Sequence, residues 1–173
     1  MRCSTKLIFG MLFLFLLGCA GLQPITNADR TFEIVVNAPG YSKEQIFNGT
    51  KIWIAENFNS AKAVLEYEDR VAGVLIGNGI IPYPCRGLEC IGREDWKVPF
   101  TMRVDIKDQK FRLTFSNLHV SWPPSYSRTY GAIPGNNVPI GTRNTLDAVR
   151  PRLLNLGDQL LDSLGKEKGK TDW

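Results

Sequence analysis

The stretch FTMRVDIKDQKFRLTFSNLHV, residues 100–120, carries the clearest pattern in the chain. Apolar and polar residues alternate on both sides of Asp108-Gln109, which predicts two half-buried strands joined there by a tight turn. The opposite face carries charges of both signs, and such a face is more often solvated than a binding site. The predicted core positions are Phe100, Met102, Val104, Ile106, Phe111, Leu113 and Phe115.

The preceding segment, AKAVLEYEDRVAGVLIGNGII (residues 61–81), predicts a second pair of strands that turns near Glu68-Asp69-Arg70. Its glycines at positions 73, 77 and 79 are not followed by the Lys-Ser/Thr pair of a phosphate-binding loop. Glycines inside a strand more often mark a bulge or a close approach of another group, so we expect a structural role for them.

A strand and two helices complete the pattern. TFEIVVNA, residues 31–38, alternates as a first strand, and Ser42-Lys-Glu-Gln45 is a capping box that predicts the start of a helix. Near the C-terminus, leucine and valine recur at steps of three and four straight through Pro151, which predicts one helix kinked at that residue. Residues 166–173 are predicted to form a disordered tail. The first helix is expected to bury Ile46, Phe47, Trp53, Ile54 and Phe58; the second is expected to bury Leu146, Val149, Leu153, Leu156, Leu160 and Leu164.

Three segments in this order, QIFNGTKIWIAENF, AVLEYEDRVAGVLIGNGI and VDIKDQKFRLTFSNL, resemble the DUF4468 family of bacterial envelope proteins over residues 31–165. The resemblance implies an α+β, TBP-like fold: a curved antiparallel five-stranded sheet with two helices on one face, in the order β-α-β-β-β-β-α. The family usually has Asp-Gly-Lys at the central turn, where this chain has Asp108-Gln109-Lys110. The resemblance carries no catalytic residue, because the family is defined without a function.

The first eighteen residues predict a secretory signal. Arg2 and Lys6 precede an apolar run of eleven residues, and a membrane-spanning helix needs about 20. Leu16-Leu17-Gly18-Cys19 resembles the lipobox of bacterial lipoproteins, in which the cysteine is acylated and becomes the first mature residue. We therefore expect lipidation at Cys19, with a conventional signal peptide as the alternative. Residues 19–30 then form a tether that reaches about 35 Å at most. Ala20, rather than Asp, follows the cysteine, and by resemblance to the sorting of enterobacterial lipoproteins this implies the outer membrane, facing the periplasm.

Of the four cysteines, Cys3 is removed with the signal and Cys19 takes the lipid. Cys85 and Cys90 remain, in CRGLEC. An oxidising compartment favours a disulfide between them. A metal site is the alternative, but it needs about four ligands, and the only histidine, His119, is distant in sequence. Free thiols are the third possibility.

Residues 121–143 are rich in proline, glycine and serine and have no periodicity, so we predict a long loop. Trp122, Tyr126, Arg128 and Tyr130 are the candidate partner-binding residues, because aromatic side chains and arginine often anchor interfaces. The alternative is that these rings fold back onto the core of the domain.

Composition excludes little beyond nucleic-acid binding. The chain has 173 residues, 43% of them hydrophobic and 22% charged, which is typical of one globular domain. Without Arg2 and Lys6 the 21 basic residues fall to 19 against 17 acidic ones, so no basic surface is indicated. His119 is expected to be structural, and we predict no catalytic residue, metal or cofactor. The predicted function is a non-catalytic binding or scaffold module, held on the bilayer, whose partners are envelope proteins or peptidoglycan; a periplasmic hydrolase and a protein that binds a small ligand or lipid are the alternatives.

Overall fold

The structure is a computed structural model that describes residues 25–58, 65–129 and 131–170, with side chains as far as residue 166. Several predictions lie outside the described residues. These are the signal peptide at residues 1–18, the lipidation of Cys19, the first part of the tether, the role of Tyr130 and the last three residues.

The predicted order of strands and helices is confirmed. The main path of the sheet is antiparallel throughout, in the spatial order β1-β5-β4-β3-β2. Four short strands, β6 to β9, add to the expected five. The elements are β1 (Phe32–Asn37), α1 (Lys43–Asn57), β2 (Leu65–Asp69), β3 (Val74–Pro82), β4 (Lys97–Lys107), β5 (Lys110–Ser116), β6 (His119–Trp122), β7 (Ser125–Ser127), β8 (Gly131–Ile133), β9 (Asn136–Pro139) and α2 (Arg143–Lys170).

The alternation in residues 100–120 produces the central hairpin as expected. Lys107 pairs with Lys110 across the two-residue loop, and the seven predicted core side chains of β4 and β5 are all buried. Gln109 adopts a left-handed backbone with φ of 62°, a conformation that glycine takes at little cost. The backbone holds this loop, because the Ala38 amide donates to the Gln109 carbonyl over 2.8 Å.

Both helices pack on the apolar face of the sheet. Ser42 caps α1 and forms the full capping box with Gln45, so the start of this helix follows from local sequence. The second helix is continuous with Pro151 inside it, which confirms one helix rather than two. It continues to Lys170, five residues into the segment predicted as a tail.

Gly79 shows why glycine is used within β3. It pairs with Phe100 on the neighbouring strand, and a Cβ at position 79 would lie 2.4 Å from the ring of that phenylalanine. Phe100 is buried, and its ring contacts Phe58 and Phe115 edge-on, so it has little room to move. The glycine therefore permits a close approach of an aromatic ring, as the sequence suggested.

The long loop predicted at residues 121–143 is instead mostly paired. Strand β6 pairs with β9 from His119↔Pro139 to Trp122↔Asn136, and β7 pairs with β8 from Ser125↔Ile133 to Ser127↔Gly131. The two ladders share one register, so strands β6 to β9 form a single interrupted hairpin, here called the arm. Proline has no amide hydrogen to donate, and Pro123, Pro124 and Pro134 lie at the interruption. The prediction of a long loop was wrong because proline, glycine and serine favour turns, and these short strands have no sustained alternation of apolar and polar residues.

Candidate functional site

The sheet has two different ends. At the hairpin end, the start of α1 meets the β2–β3 turn and the β4–β5 turn. The backbone amide of Lys43 donates to Asp108 Oδ1 over 2.7 Å, and the side-chain Nζ of Lys43 donates to the Val71 carbonyl over 2.6 Å. At the opposite end, β3 ends and β4 begins at the Pro82↔Lys97 pair, and β6 joins β4 through Ser121. We call this the tether end, because the N-terminal segment also joins the domain there.

The N-terminal segment is fixed at the start of α2. Arg30 Nε donates to the Ile140 carbonyl over 2.8 Å, and Arg143 lies 3.3 Å from Asp29. Hydrogen bonds from Thr26, together with Arg143, hold the pKa of the Asp29 carboxyl below its ordinary value. Residues 25–30, predicted as part of a free tether, therefore fold against the domain.

The disulfide expected between Cys85 and Cys90 is present, with Sγ atoms 2.14 Å apart and Cα atoms 5.1 Å apart. It lies within the segment that connects β3 to the start of β4, residues 83–97, here called the disulfide loop, which contains one short 3₁₀ turn, Gly87–Cys90, at the tether end. Leu88 in this turn is 85% exposed and Ile91 just after it is 72% exposed. Within the described ranges, no three histidine, cysteine, aspartate or glutamate side chains are grouped as a metal site would require.

An aromatic cluster forms the base of this loop. Trp96 stacks on Trp122 with ring centroids 5.0 Å apart and meets Tyr83 edge-on at 5.4 Å. The Arg93 guanidinium lies 5.1 Å from the Trp96 ring, within the range of a cation–π contact. Sequence analysis singled out Trp122 but missed Tyr83 and Trp96, which lie on two other segments and meet Trp122 only in the folded chain.

The four predicted partner-binding residues do not form one surface. Trp122 is half-buried against the core, as the alternative reading expected, whereas Tyr126 is 79% exposed and Arg128 is exposed near the tip of the arm. Tyr130 lies outside the described residues. Tyr126 and Arg128 therefore remain candidates for contact with a partner, and Trp122 contributes to the base of the loop.

The second face of the sheet is not covered by either helix and carries a network of charges. The Arg103 guanidinium binds Asp105 through three hydrogen bonds of 2.7–3.1 Å, and Arg112 reaches the same carboxylate at 3.2 Å. Arg112 also lies 3.6 Å from Glu33. The bond from Arg103, with support from Arg112, lowers the pKa of the Asp105 carboxyl, and Asp105 in turn raises the pKa of Arg103. The network holds these side chains in fixed positions.

A shallow depression of about 200 Å³ lies on this face towards the hairpin end. Val35, which is 57% exposed, supplies the apolar side chain that lines it. The cations Lys107, Lys110 and Arg112 surround it together with Asp105. Since Arg103 already binds Asp105 closely, the depression presents apolar surface beside an excess of positive charge.

Two further features bear on the alternative functions. His119 is half-buried, and its Nδ1 lies 2.8 Å from the Asn117 carbonyl, so one ring nitrogen has a structural partner. A groove of about 410 Å³ lies between the end of α1, β3 and α2. Neither feature favours a hydrolase or a particular small ligand.

None of the helices in the described part of the chain has the length and apolar character needed to cross a bilayer.

Comparison with known proteins gives a consistent result for the fold. Residues 32–121 match the family described as "Domain of unknown function (DUF4468) with TBP-like fold". A crystal structure of a TBP-like protein from Parabacteroides distasonis superimposes with a TM-score of 0.57 and 14% identity, covering 82% of this chain and 96% of that one. A DUF4468 family protein from Bacteroides ovatus gives a TM-score of 0.50 and 14% identity, covering 82% and 88%. No curated protein matches this sequence.

Proposed function

This chain belongs to the DUF4468 family, and from that premise we propose that it is a lipid-anchored, non-catalytic binding module of the bacterial cell envelope. The observation that carries the binding role is the uncovered sheet face, with its depression of about 200 Å³ lined by Val35 and three cations. The partner that fits it is an envelope protein presenting a carboxylate beside an apolar side chain.

The charges of this face support binding rather than catalysis. Asp105 binds both Arg103 and Arg112, and Glu33 lies near Arg112. A carboxylate such as Asp105, kept ionised by two arginines, is a poor proton donor or acceptor near neutral pH. Lys107 and Lys110 pair across the turn and project on the same face as Arg112. The fixed position of Arg112 in the network with Asp105 favours recognition, because little of its side-chain entropy is lost on binding.

Two features support the envelope location. Gly18-Cys19 after an apolar run resembles a lipobox, and three acyl chains would hold the protein stably on a membrane. The Cys85–Cys90 bond fits an oxidising compartment outside the cytoplasm.

In-cell photocrosslinking tests the binding surface. A photoreactive residue at position 35 should capture an envelope protein, and the Lys107→Glu/Lys110→Glu variant should reduce the crosslink at least tenfold. Lys97→Glu is the matched control, because Lys97 lies on the same face at the tether end and should leave the yield unchanged. Recovery of the bait alone, or equal loss in the control, would contradict the proposal.

The anchor is tested separately. Mass spectrometry of the mature N-terminal peptide should show acyl groups on Cys19, and Cys19→Ala should move the protein out of the membrane fraction. An unmodified thiol at Cys19 would disprove the anchor without affecting the test of the sheet face.

A further inference from the structure

Three independent elements meet at the tether end around the first turn of α2. Arg143 in that turn contacts Asp29 of the N-terminal segment, and Thr145 Oγ1 lies 3.3 Å from the Tyr83 hydroxyl at the base of the disulfide loop. Residues 143 and 145 belong to one helical turn, which rises about 5.4 Å. The start of the domain and the base of the disulfide loop are therefore held side by side.

The arm leaves the sheet at the same end. Because β6 is antiparallel to β4 and joins it through the Lys97↔Ser121 pair, the chain beyond Trp122 continues past the first residue of β4. Stacking of Trp122 on Trp96 connects the arm to the disulfide loop. Tyr126 lies in the outer part of this arm.

The disulfide loop and the arm expose apolar side chains at the tether end, where the N-terminal segment joins the domain. Single exposed apolar residues are common on protein surfaces. Leu88, Ile91 and Tyr126 differ from such cases because all three are more than 70% exposed, and because they are carried by the two segments that project from one end. Within residues 86–97, three basic and three acidic side chains leave the disulfide loop without net charge.

The length of chain outside the described residues limits what these side chains can meet. Cys19 precedes Ile25 by six residues, which span about 20 Å when fully extended. An acylated Cys19 would therefore keep the tether end within roughly that distance of the bilayer. Leucine and isoleucine insert into the apolar boundary of a membrane, and tyrosine is enriched at its interface.

We propose that the tether end is a membrane-contact surface, on which Leu88 and Ile91 of the disulfide loop and Tyr126 of the arm rest on the lipid bilayer. This orientation depends on the proposed anchor at Cys19. It leaves the hairpin end, and the depression near it, directed away from the membrane and accessible to a partner. Because the disulfide loop has no net charge, the contact does not require anionic lipid.

Fluorescence quenching of the full chain, acylated in cells and reconstituted into phosphatidylcholine vesicles with nitroxide-labelled lipid, tests this surface. A fluorescent amino acid is introduced at position 88, or at position 71 as a control. Val71 is a matched control, because it is 92% exposed but lies in a turn at the hairpin end. Lipid nitroxide should quench the probe at position 88 at least fivefold more than the probe at position 71, with no change in high salt.

The outcomes separate the two proposals. Equal quenching at positions 88 and 71 in a chain with acylated Cys19 would overturn the orientation and leave the anchor intact. If the wild-type chain isolated from cells carries no acyl group on Cys19 and does not associate with vesicles, the anchor and the orientation are overturned together. As a second measurement, the Leu88→Asp/Ile91→Asp variant, whose changes are on the surface, should lower the quenching of a probe at position 126 to the level at position 71. Unchanged quenching at position 126 would overturn the role of the disulfide loop.

Discussion

At the scale of single residues, Asp105 is the side chain on which the charge network of the open face depends. It is 20% exposed and accepts hydrogen bonds from both Arg103 and Arg112. Its removal would leave two neighbouring arginines without the carboxylate that binds both of them and offsets the repulsion between their positive charges.

Asp105→Asn should lower the free energy of unfolding by about 1 kcal/mol at pH 7, because charge-assisted bonds are lost at a partly solvated site. The folded-state pKa of this carboxyl lies below the ordinary 3.8, so the stabilisation is complete above that value and is lost as the pH falls through the folded-state pKa. Urea unfolding at pH 7 and below pH 3.8 should show a difference between wild type and variant that shrinks with acid. Asp158→Asn, on the exposed side of α2, is the control for the loss of one negative charge; a difference at position 105 that grows with acid would contradict the assignment.

Gln109→Gly should stabilise the protein by about 0.5–1 kcal/mol. A non-glycine residue in the left-handed region costs about 1–2 kcal/mol, part of which is offset by the greater freedom of glycine in the unfolded chain. Urea midpoints would measure the gain. Asn117 has φ of 52°, but asparagine tolerates this region and its Nδ2 donates to Thr101, so Asn117→Gly should not stabilise. A gain at position 117 as large as that at position 109 would show that φ is not the cause.

At the scale of elements, the parts of the fold that sequence predicted are those with local, repeated signals. The alternation around Asp108-Gln109 and the capping box at Ser42 each depend on residues close in sequence, and both are confirmed. The arm was missed because its pairing depends on tertiary support: β6 joins β4, and Val120 and Ile140 are buried in the common core.

The candidate surfaces were hard to predict for the same reason. The depression on the open face combines Val35 of β1 with side chains of β4 and β5, and the aromatic cluster combines three separate segments. Neither sequence spacing nor composition places such residues together. The disulfide was predictable because Cys85 and Cys90 are the two cysteines left after the signal and the lipobox, and an oxidising compartment favours a bond between them.

The outer half of the arm should be dispensable for folding. Replacing residues 123–135 with the two-residue turn Asn-Gly keeps the Trp122↔Asn136 pair and should change the free energy of unfolding by less than about 1 kcal/mol, because only short, exposed strands are removed. Chemical denaturation would measure the change. The control, Val120→Ala in the inner half, removes a buried side chain and should cost about 1–2 kcal/mol. A loss of cooperative unfolding on shortening would show that the arm is part of the core.

At the scale of the whole molecule, the two ends of the sheet are built differently. The hairpin end is closed by backbone and side-chain bonds between α1 and two tight turns. The tether end instead carries the arm, the disulfide loop and the N-terminal segment. Under the proposed anchor at Cys19, the position of the whole domain relative to the membrane depends on how firmly residues 25–31 are held at that end.

Arg30 is the side chain that fixes this segment, since it donates to the carbonyls of Ile140 and Ile25 and to Asn27. Arg30→Ala should increase hydrogen exchange in residues 25–31 while lowering the free energy of unfolding by less than about 1 kcal/mol, because the opening is local. Once released, the link from Cys19 to Thr31 spans twelve residues, or about 40 Å instead of about 20 Å. A lipid quencher should then reach a probe at position 88 less often in the anchored chain. Arg152→Ala on the exposed side of α2 should alter neither measurement, and unchanged exchange in Arg30→Ala would show that other contacts hold the segment.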